Sequence, residues 1–351
     1  MRPSIAIALD AMGSDLGPEA VVEGAAEASL RPDAPQIALV GDPRQLQKAL
    51  SRLSHDASKV RIVPAFEVIA PSEEPRRAIE EKKGASICVA ARLVAEGECD
   101  ALVSAGPTGA VTLACAQAFR RLPGVRRAAL GAVYPTERRR GEKADPFSLI
   151  LDVGLTLEAS AEDLVAFAIM GSAYARRISK NQRPKVGLLS IGSEPHKGTQ
   201  SIVQAYRILE KLPEIEFVGN LEGMDIPRGT ADVVVTSGFV GNVVLKLLEG
   251  IGETVMRLAR AASEASLQYQ LGLWLLRPAI RRLRQITDWE EYGGVPILGF
   301  DKLCIKAHGR STGRAIRNAI RVAQKAVQSD LVASIQNGLE ATTRIQEANT
   351  K

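Results

Sequence analysis

Five times along this chain an apolar stretch of strand length runs into a small polar residue, a glycine and the start of a helix. These junctions are Asp10/Gly13, Ser104/Gly106, Asp152/Gly154, Ser190/Gly192 and Thr236/Gly238. Strand, tight loop and helix in that order build a parallel sheet, because a parallel partner is reached only by a crossover, usually helical. The first unit is the clearest. Residues 5–9 are nearly continuously apolar, as in a strand covered on both faces. Gly13 and Gly17 permit tight loop backbone, and Pro18 suits the first turn of a helix over 19–30. Such a loop, with open amides and a helix N-terminus, is where α/β proteins hold anions. Asp10 and Asp15 work against an anion there unless they bind amides, a cation or a lysine, and both are equally suited simply to cap the loop.

The alternation continues. Strands are expected over 36–40, 59–63, 100–103, 128–134, 147–151, 185–189, 215–218, 232–235 and 303–307, and helices over 43–53, 73–83, 85–96, 110–122, 161–179 and 199–212. Ser160 and Asp163 have the spacing of a capping box for the helix at 161. A long helix is expected from Val243, with Asn242 as its cap, and another from Arg314 that frays into a polar tail. Residues 135–146 carry so many charges that they read as a surface loop. No long linker divides the chain, so 1–351 is expected to be a single α/β domain with a layered, mostly parallel sheet and helices on both faces. In such a sheet the five glycine loops would lie at one carboxyl edge and line one crevice.

Residues 263–294 break the pattern and are expected to form a helical hairpin inserted in that domain. Leu271, Leu275, Ala279, Leu283 and Ile286 would share one face, with Arg277, Arg281 and Arg284 on the other and Trp274 at the border. Pro278 would interrupt the run, leaving Leu271, Leu273, Trp274, Leu275 and Leu276 near a tip. A basic, tryptophan-bearing amphipathic element suits a membrane surface or a dimer seam, or else a plain core-facing helix pair.

Composition narrows the function classes. With 46% hydrophobic and 24% charged residues the chain is not a disordered one, and 4% aromatics disfavour an aromatic-rich sandwich. The net charge of +5 is spread along the chain, so anionic partners are expected but no nucleic acid. Cys88, Cys99, Cys115 and Cys304 show no C-x-x-C spacing and the three histidines are scattered, so neither a metal site nor a disulfide framework is expected. A reduced, cytoplasmic setting follows, with no apolar signal segment ahead of the first strand.

Several chemistries lack their motifs. No G-x-G-x-x-G follows a strand, Gly192–Thr199 places its lysine before the second glycine rather than after it, and no G-x-S-x-G surrounds a serine. What remains is a crevice with glycine amides, Lys197, Lys306, Asn242, His196 and His308. These suit phosphate binding and acyl transfer without a protein nucleophile, since amides and a lysine hold an anion and an amide stabilises an oxyanion. Each has a plainer reading: a solvated lysine, a helix-capping asparagine, a structural histidine.

Six ordered motifs go further: Asp10-Ala-Met-Gly-Ser-Asp15, Ser104-Ala-Gly-Pro-Thr-Gly-Ala110, Phe167-Ala-Ile-Met-Gly-Ser172, Gly238-Phe-Val-Gly-Asn-Val-Val-Leu-Lys246, Glu291-Tyr-Gly-Gly294 and Ile305-Lys-Ala-His-Gly309. Over about residues 5–332 the chain resembles the bacterial phosphate acyltransferases (PlsX). The resemblance implies a Rossmann-like fold, a homodimer, and transfer of a fatty acyl group from acyl carrier protein to orthophosphate. The acyl phosphate would feed glycerol-3-phosphate acyltransferase in phospholipid synthesis. It also implies peripheral membrane contact through the hairpin, with no cofactor and no covalent enzyme intermediate. Carried over by position, Lys197 and Asn242 are the catalytic candidates, Lys197 holding phosphate and Asn242 orienting the carbonyl oxygen, with His308 assisting proton transfer. Asp10, Gly13, Ser14, Asp15, Ser104, Gly106, Thr108, Gly109, Gly192, Gly238 and Lys306 are the substrate-binding candidates. Ser14, Pro107, Leu155, Thr156 and Ser237 depart from the family pattern, all in crevice loops. The alternatives are a divergent paralogue with weak or no catalysis that binds membranes, and a phosphotransacetylase-like enzyme using coenzyme A thioesters.

Overall fold

In the computed structural model, which describes residues 4–140, 145–264, 266, 268, 269, 271, 272, 274–276, 278 and 289–350, most predicted elements form within a few residues of their expected bounds. The strands are β1 (Ala6–Asp10), β2 (Gln36–Gly41), β3 (Val60–Pro64), β4 (Ala101–Ser104), β5 (Ala129–Arg140), β6 (Asp145–Leu151), β7 (Lys185–Leu189), β8 (Glu216–Leu221), β9 (Val233–Val235), β10 (Val295–Leu298) and β11 (Leu303–Lys306). The helices are α1 (Pro18–Ser29), α2 (Pro43–Leu50), α3 (Pro75–Glu81), α4 (Ser86–Ala95), α5 (Thr108–Ala118), α6 (Ala161–Ile178), α7 (Gln200–Leu209), α8 (Asp225–Arg228), α9 (Gly238–Glu264), α10 (Trp289–Tyr292), α11 (Gly313–Gln328) and α12 (Leu331–Thr350).

All described strands join one 11-stranded sheet in the order β3-β2-β1-β4-β11-β10-β5-β6-β9-β7-β8. Two parallel blocks, β3 to β11 and β6 to β8, meet through antiparallel contacts at β11–β10, β10–β5 and β5–β6. An odd number of antiparallel contacts reverses strand direction. The expected single carboxyl edge is therefore two: β1, β4 and β11 end on one rim, and β6, β9 and β7 end on the opposite one. The two antiparallel contacts of β10 cancel, leaving β5 in the direction of β11, so the net reversal is made where β6 folds back on β5.

Three further expectations are corrected. The charged segment after Tyr134 is not a loop over its described part, because β5 runs on to Arg140 and pairs with β6, Arg140 lying opposite Asp145. The long helix begins at Gly238, so Asn242 lies inside it and does not cap it. The polar tail is the helix α12, whose buried Leu331, Ile335 and Leu339 seat it against α6. The capping box forms as predicted, with Asp163 N donating to Ser160 Oγ and Ser160 N to Asp163.

Helices cover both faces. One apolar cluster joins α1, α2, α6, α7, α11 and α12 to the sheet; the other joins α3, α4, α5 and α8, with Val244, Leu245 and Leu248 of α9 packed against it. Alternate residues of one strand feed different clusters, as Ile7 and Ala8 do, which is why the strands read as continuous apolar runs. Phe167, fully buried in the first cluster on α6, is the largest such side chain among the described residues. Phe167→Ala is expected to cost about 3–5 kcal/mol. Urea unfolding reads this, and a loss under about 1 kcal/mol would contradict a single close-packed layer there.

Candidate active site

On the first rim Asp10, Ser104 and Lys306 are opposite one another across β1, β4 and β11. All three are buried. Asp10 accepts hydrogen bonds from Ser86 Oγ at 2.6 Å and Ser104 Oγ at 2.7 Å, and Ser104 Oγ also takes the Gly106 amide at 3.0 Å. Burial pushes the Asp10 carboxyl above its ordinary pKa, against the two hydroxyls, the Met12 amide and the Lys306 charge. The same burial brings Lys306 down to about 8, with Asp15 and Asp10 resisting, and its ammonium donates to the Ala307 carbonyl. Gly13 and Gly106 lie backbone against backbone: a Cβ on Gly13 would stand 2.7 Å from the Gly106 Cα and 2.9 Å from Asp10 Oδ2. Asp10, Ser86, Gly13, Gly106, Pro107 and the apolar side chains of Val68, Ile69 and Val111 line a cavity of about 10 Å³, room for one water.

The loops above this row are tied together. The Asp15 amide and the Ser14 hydroxyl both donate to the Gly309 carbonyl, at 2.9 Å and 3.2 Å. Thr108 and Gly109, both exposed, open α5 behind Pro107 with no side-chain cap, leaving its first turn of amides to solvent or a ligand. His308 keeps an exposed edge, but desolvation of the rest of its ring lowers its pKa, helped by Lys306 and opposed by Glu249.

On the second rim Leu151, Val235 and Leu188 are aligned, so the loops after β6, β9 and β7 leave the sheet side by side. Lys197 comes from the loop after β7 and Asn242 from the second turn of α9, just after β9. Lys197 is half-buried and Asn242 exposed. Gly192 lies under Lys197, where a Cβ would stand 3.2 Å from the lysine Cγ. Gly154 faces Asn242, its would-be Cβ 3.6 Å from the amide oxygen. Asp152 is buried and gathers the loop on its carboxylate, accepting from Leu130 N at 2.8 Å, Gly154 N at 3.3 Å and Leu155 N at 3.0 Å. The Gly238 amide donates to Thr156 O at 2.8 Å and Phe239 N to Leu157 O at 3.3 Å, so α9 has already used its first two donors.

The candidates thus form two groups. Asp10, Gly13, Ser14, Asp15, Ser104, Gly106, Thr108, Gly109, Lys306 and His308 belong to the first rim; Gly192, Lys197, Gly238 and Asn242 belong to the second. Helix α9 links them, starting against the Asp152 loop and bringing Lys246 and Glu249 into the electrostatic surroundings of His308. Of the five departures, Ser14 and Thr156 hold the loops with their side chains, and Pro107, Leu155 and Ser237 with main-chain atoms alone. Ser14 bridges to Gly309, Pro107 accepts the first helical bond of α5 from Val111 N at 3.0 Å, and the Ser237 carbonyl does the same for Gly241 N at 2.9 Å. Thr156 Oγ1 donates to Ala128 O at 2.9 Å, and Leu155 N binds Asp152.

The model of the family described as fatty acid synthesis protein matches residues 5–334. A phosphate acyltransferase of Heliobacterium modesticaldum is 44% identical over 331 residues, 94% of this chain and 96% of that protein. This chain belongs to the phosphate acyltransferase (PlsX) family. Another phosphate acyltransferase, of Desulfitobacterium hafniense strain Y51, is 43% identical over 342 residues, 97% of this chain and 99% of its own. Among solved structures a phosphotransacetylase from Streptococcus pyogenes has a TM-score of 0.63 at 16% identity, covering 93% of this chain and 95% of its own. A branched-chain phosphotransacylase from Enterococcus faecalis V583 has 0.54 at 16%, covering 92% and 99%. At such identity the likeness is one of fold.

Sequence reasoning about this phosphate acyltransferase family member passed over Ser86, Asp152 as an organiser, and Asn220. Asn220 is buried on β8, and its amide donates to Glu194 O at 2.8 Å and Lys197 O at 3.4 Å, bracing the Lys197 loop from beneath. A register shift against β7 and the positive φ of 89° at Gly219 turn it inward. The signal was Gly-Asn inside an apolar strand, a bulge signature. Asn220→Ala removes two hydrogen bonds at about 0.5–1.5 kcal/mol apiece, although Lys197 N still reaches Glu194 O and Ser190 Oγ still reaches Lys197 O. Residues 190–198 should then exchange amide hydrogens at least about tenfold faster than wild type while the β1–β4 core is unchanged. Equal protection in the loop would contradict the brace.

Lys306 supplies a pH signature. Its folded pKa near 8 lies below the unfolded value of 10.5, so between those values the unfolded chain binds more protons and stability rises with pH. The unfolding free energy of wild type minus that of Lys306→Met should therefore increase from pH 8 to pH 10, by up to about 3 kcal/mol. A flat difference would mean the lysine is hydrated.

Proposed function

We propose that this protein transfers a fatty acyl group from the thioester of acyl carrier protein to orthophosphate, giving the acyl phosphate used in phospholipid synthesis. The observation that carries the reading is the emergence of Lys197 and Asn242 from adjacent strands of the second rim in a phosphate acyltransferase family member. A half-buried ammonium beside glycine backbone suits a phosphate dianion, and an amide N–H suits the carbonyl oxygen that gains charge as phosphate oxygen attacks. The attacking oxygen comes from the substrate, so no protein nucleophile enters. The carbon–oxygen bond to phosphate forms, the carbon–sulfur bond breaks, and the thiolate takes up a proton. Hydrogen phosphate gives up its own proton as it is acylated, so the thiolate is neutralised without His308, which stands on the first rim with its pKa lowered by burial. The first rim, with Asp10 and Asp15 beside Lys306, is the less favourable place for a free anion, and its α5 amides are proposed to contact substrate only when Lys306 is charged.

Purified protein with acyl carrier protein bearing a palmitoyl group, plus phosphate, should yield acyl phosphate. Lys197→Ala should lower kcat/KM by about a hundredfold or more. A loss under about tenfold would remove Lys197 from the chemistry.

A second copy of the chain is the proposed partner of α9. Val243, Leu247, Ile251, Val255 and Leu258 follow helical spacing along one side of it and are each more than half exposed. The helix is 27 residues long, about 40 Å. Leu271, Trp274, Leu275 and Leu276 are also exposed and are proposed to touch a membrane surface, with the protein otherwise in the cytoplasm. Leu273, Arg277, Arg281, Arg284 and most of the expected hairpin lie outside the described residues. Among the described residues no helix is long and apolar enough to cross a membrane. Light scattering at micromolar protein should give the dimer mass for wild type and the monomer mass for Leu247→Asp with Ile251→Asp. A monomeric wild type would contradict the partner.

A further inference from the structure

The turn between α5 and β5 shows the charge expected of a docking surface at the mouth of the second rim. Arg120, Arg121, Arg126 and Arg127 are all exposed within eight residues, and Lys302 stands close by. The turn is rigid. Asp301 N donates to Arg120 O at 2.9 Å, Arg120 N to Asp301 Oδ1 at 3.0 Å, Leu122 N to Gly299 O at 3.0 Å, and the Arg121 guanidinium to Arg126 O. The acidic neighbours of the turn include Asp301, whose Oδ1 accepts from the Arg120 amide, and Glu162. Arg126 reaches Glu162 only at 3.8 Å, both side chains being about two-thirds exposed, and such a pair contributes little.

The position of this turn ties it to the proposed chemistry. Ala128 O accepts from Thr156 Oγ1 and Leu130 N donates to Asp152, so the arginines flank the Asp152–Leu157 loop. That loop faces Asn242 at Gly154 and bonds the start of α9 at Leu157. The loops after β6 and β7 and the first turn of α9 each also show a large apolar side chain to solvent: Leu157, Ile191 and Phe239. A free phosphate or a short acyl thioester needs neither the arginines nor the apolar trio. An acidic protein that presents a long acyl chain on a tethered thioester uses both, its surface pairing with the arginines and its chain passing over Leu157 and Phe239.

We propose that Arg120, Arg121, Arg126 and Arg127 form the surface that receives the acidic acyl carrier protein. The inference rests on the acyl-transfer reading above and adds where the donor docks. The variant Arg126→Glu with Arg127→Glu leaves the Arg121 contact to the backbone in place and keeps clear of Lys197 and Asn242. With palmitoyl-bearing acyl carrier protein its KM should rise at least about tenfold at near-constant kcat, and the wild-type KM should rise with salt. With palmitoyl-pantetheine, an uncharged donor, variant and wild type should match, which also shows that the variant is folded. An unchanged KM for the carrier-borne donor overturns the surface. Titration calorimetry with acyl carrier protein separates the two claims. Binding that the double variant weakens about tenfold or more supports the surface even where no acyl phosphate forms, an outcome that would count against the reaction instead. Binding of equal strength to both proteins overturns the surface.

Discussion

Neighbouring strands in a sheet satisfy their backbone hydrogen bonds by running either with or against each other, and this choice governs where every loop in the molecule can go. Two parallel blocks are joined by three antiparallel contacts through β10 and β5. Had that number been even, all the glycine loops would share one edge. Because it is odd, the Asp10, Ser104 and Lys306 ends lie on one rim and the Asp152, Thr236 and Ser190 ends on the other. Helix α9 is the element that connects the rims, since it starts jammed against the Asp152 loop and passes over β5 and β6 on its way toward His308.

The rims differ in physical character. Asp10 and Lys306 are almost without solvent, so each is costly to charge alone and each is held by what surrounds it: two hydroxyls for the acid, a carbonyl and two carboxylates for the lysine. That network fixes loops and sets a field. Lys197 and Asn242 are more accessible, one on a loop braced from below by Asn220 and the other in the second turn of α9 facing the loop that Asp152 gathers, which is how a group that must meet a changing ligand is best mounted. Two of the residues that depart from the family pattern are absorbed into this bracing through their side chains. Thr156 holds the turn at Ala128, and Ser14 ties the first loop to Gly309.

Local structure was legible in the sequence wherever one residue's chemistry decides it. The continuous apolar runs, Pro18 at a helix start, and the Ser160/Asp163 box all appear where their physics puts them. The family was legible as well, from six motifs in order. Strand direction was not, because nothing in the charged segment between Tyr134 and Phe147 says that β6 folds straight back on β5 rather than crossing over to run beside it. The second-block brace was equally hidden: Asn220 reads as one polar residue in a strand until the bulge at Gly219 turns it under the Lys197 loop. Nor does the sequence show the extension of β5 to Arg140, since charged residues are as much at home on a solvated antiparallel arm as in a loop.

The central claim is that Lys197 and Asn242, delivered by neighbouring strands, act on one reacting group. A double-mutant cycle on kcat/KM with Lys197→Ala, Asn242→Ala and the pair together tests it most directly. Groups that share a transition state give a coupling of about 1 kcal/mol or more, so the double variant should be much less impaired than the product of the single losses implies. Losses that multiply, leaving a coupling within about 0.5 kcal/mol of zero, would mean the two residues serve separate sites.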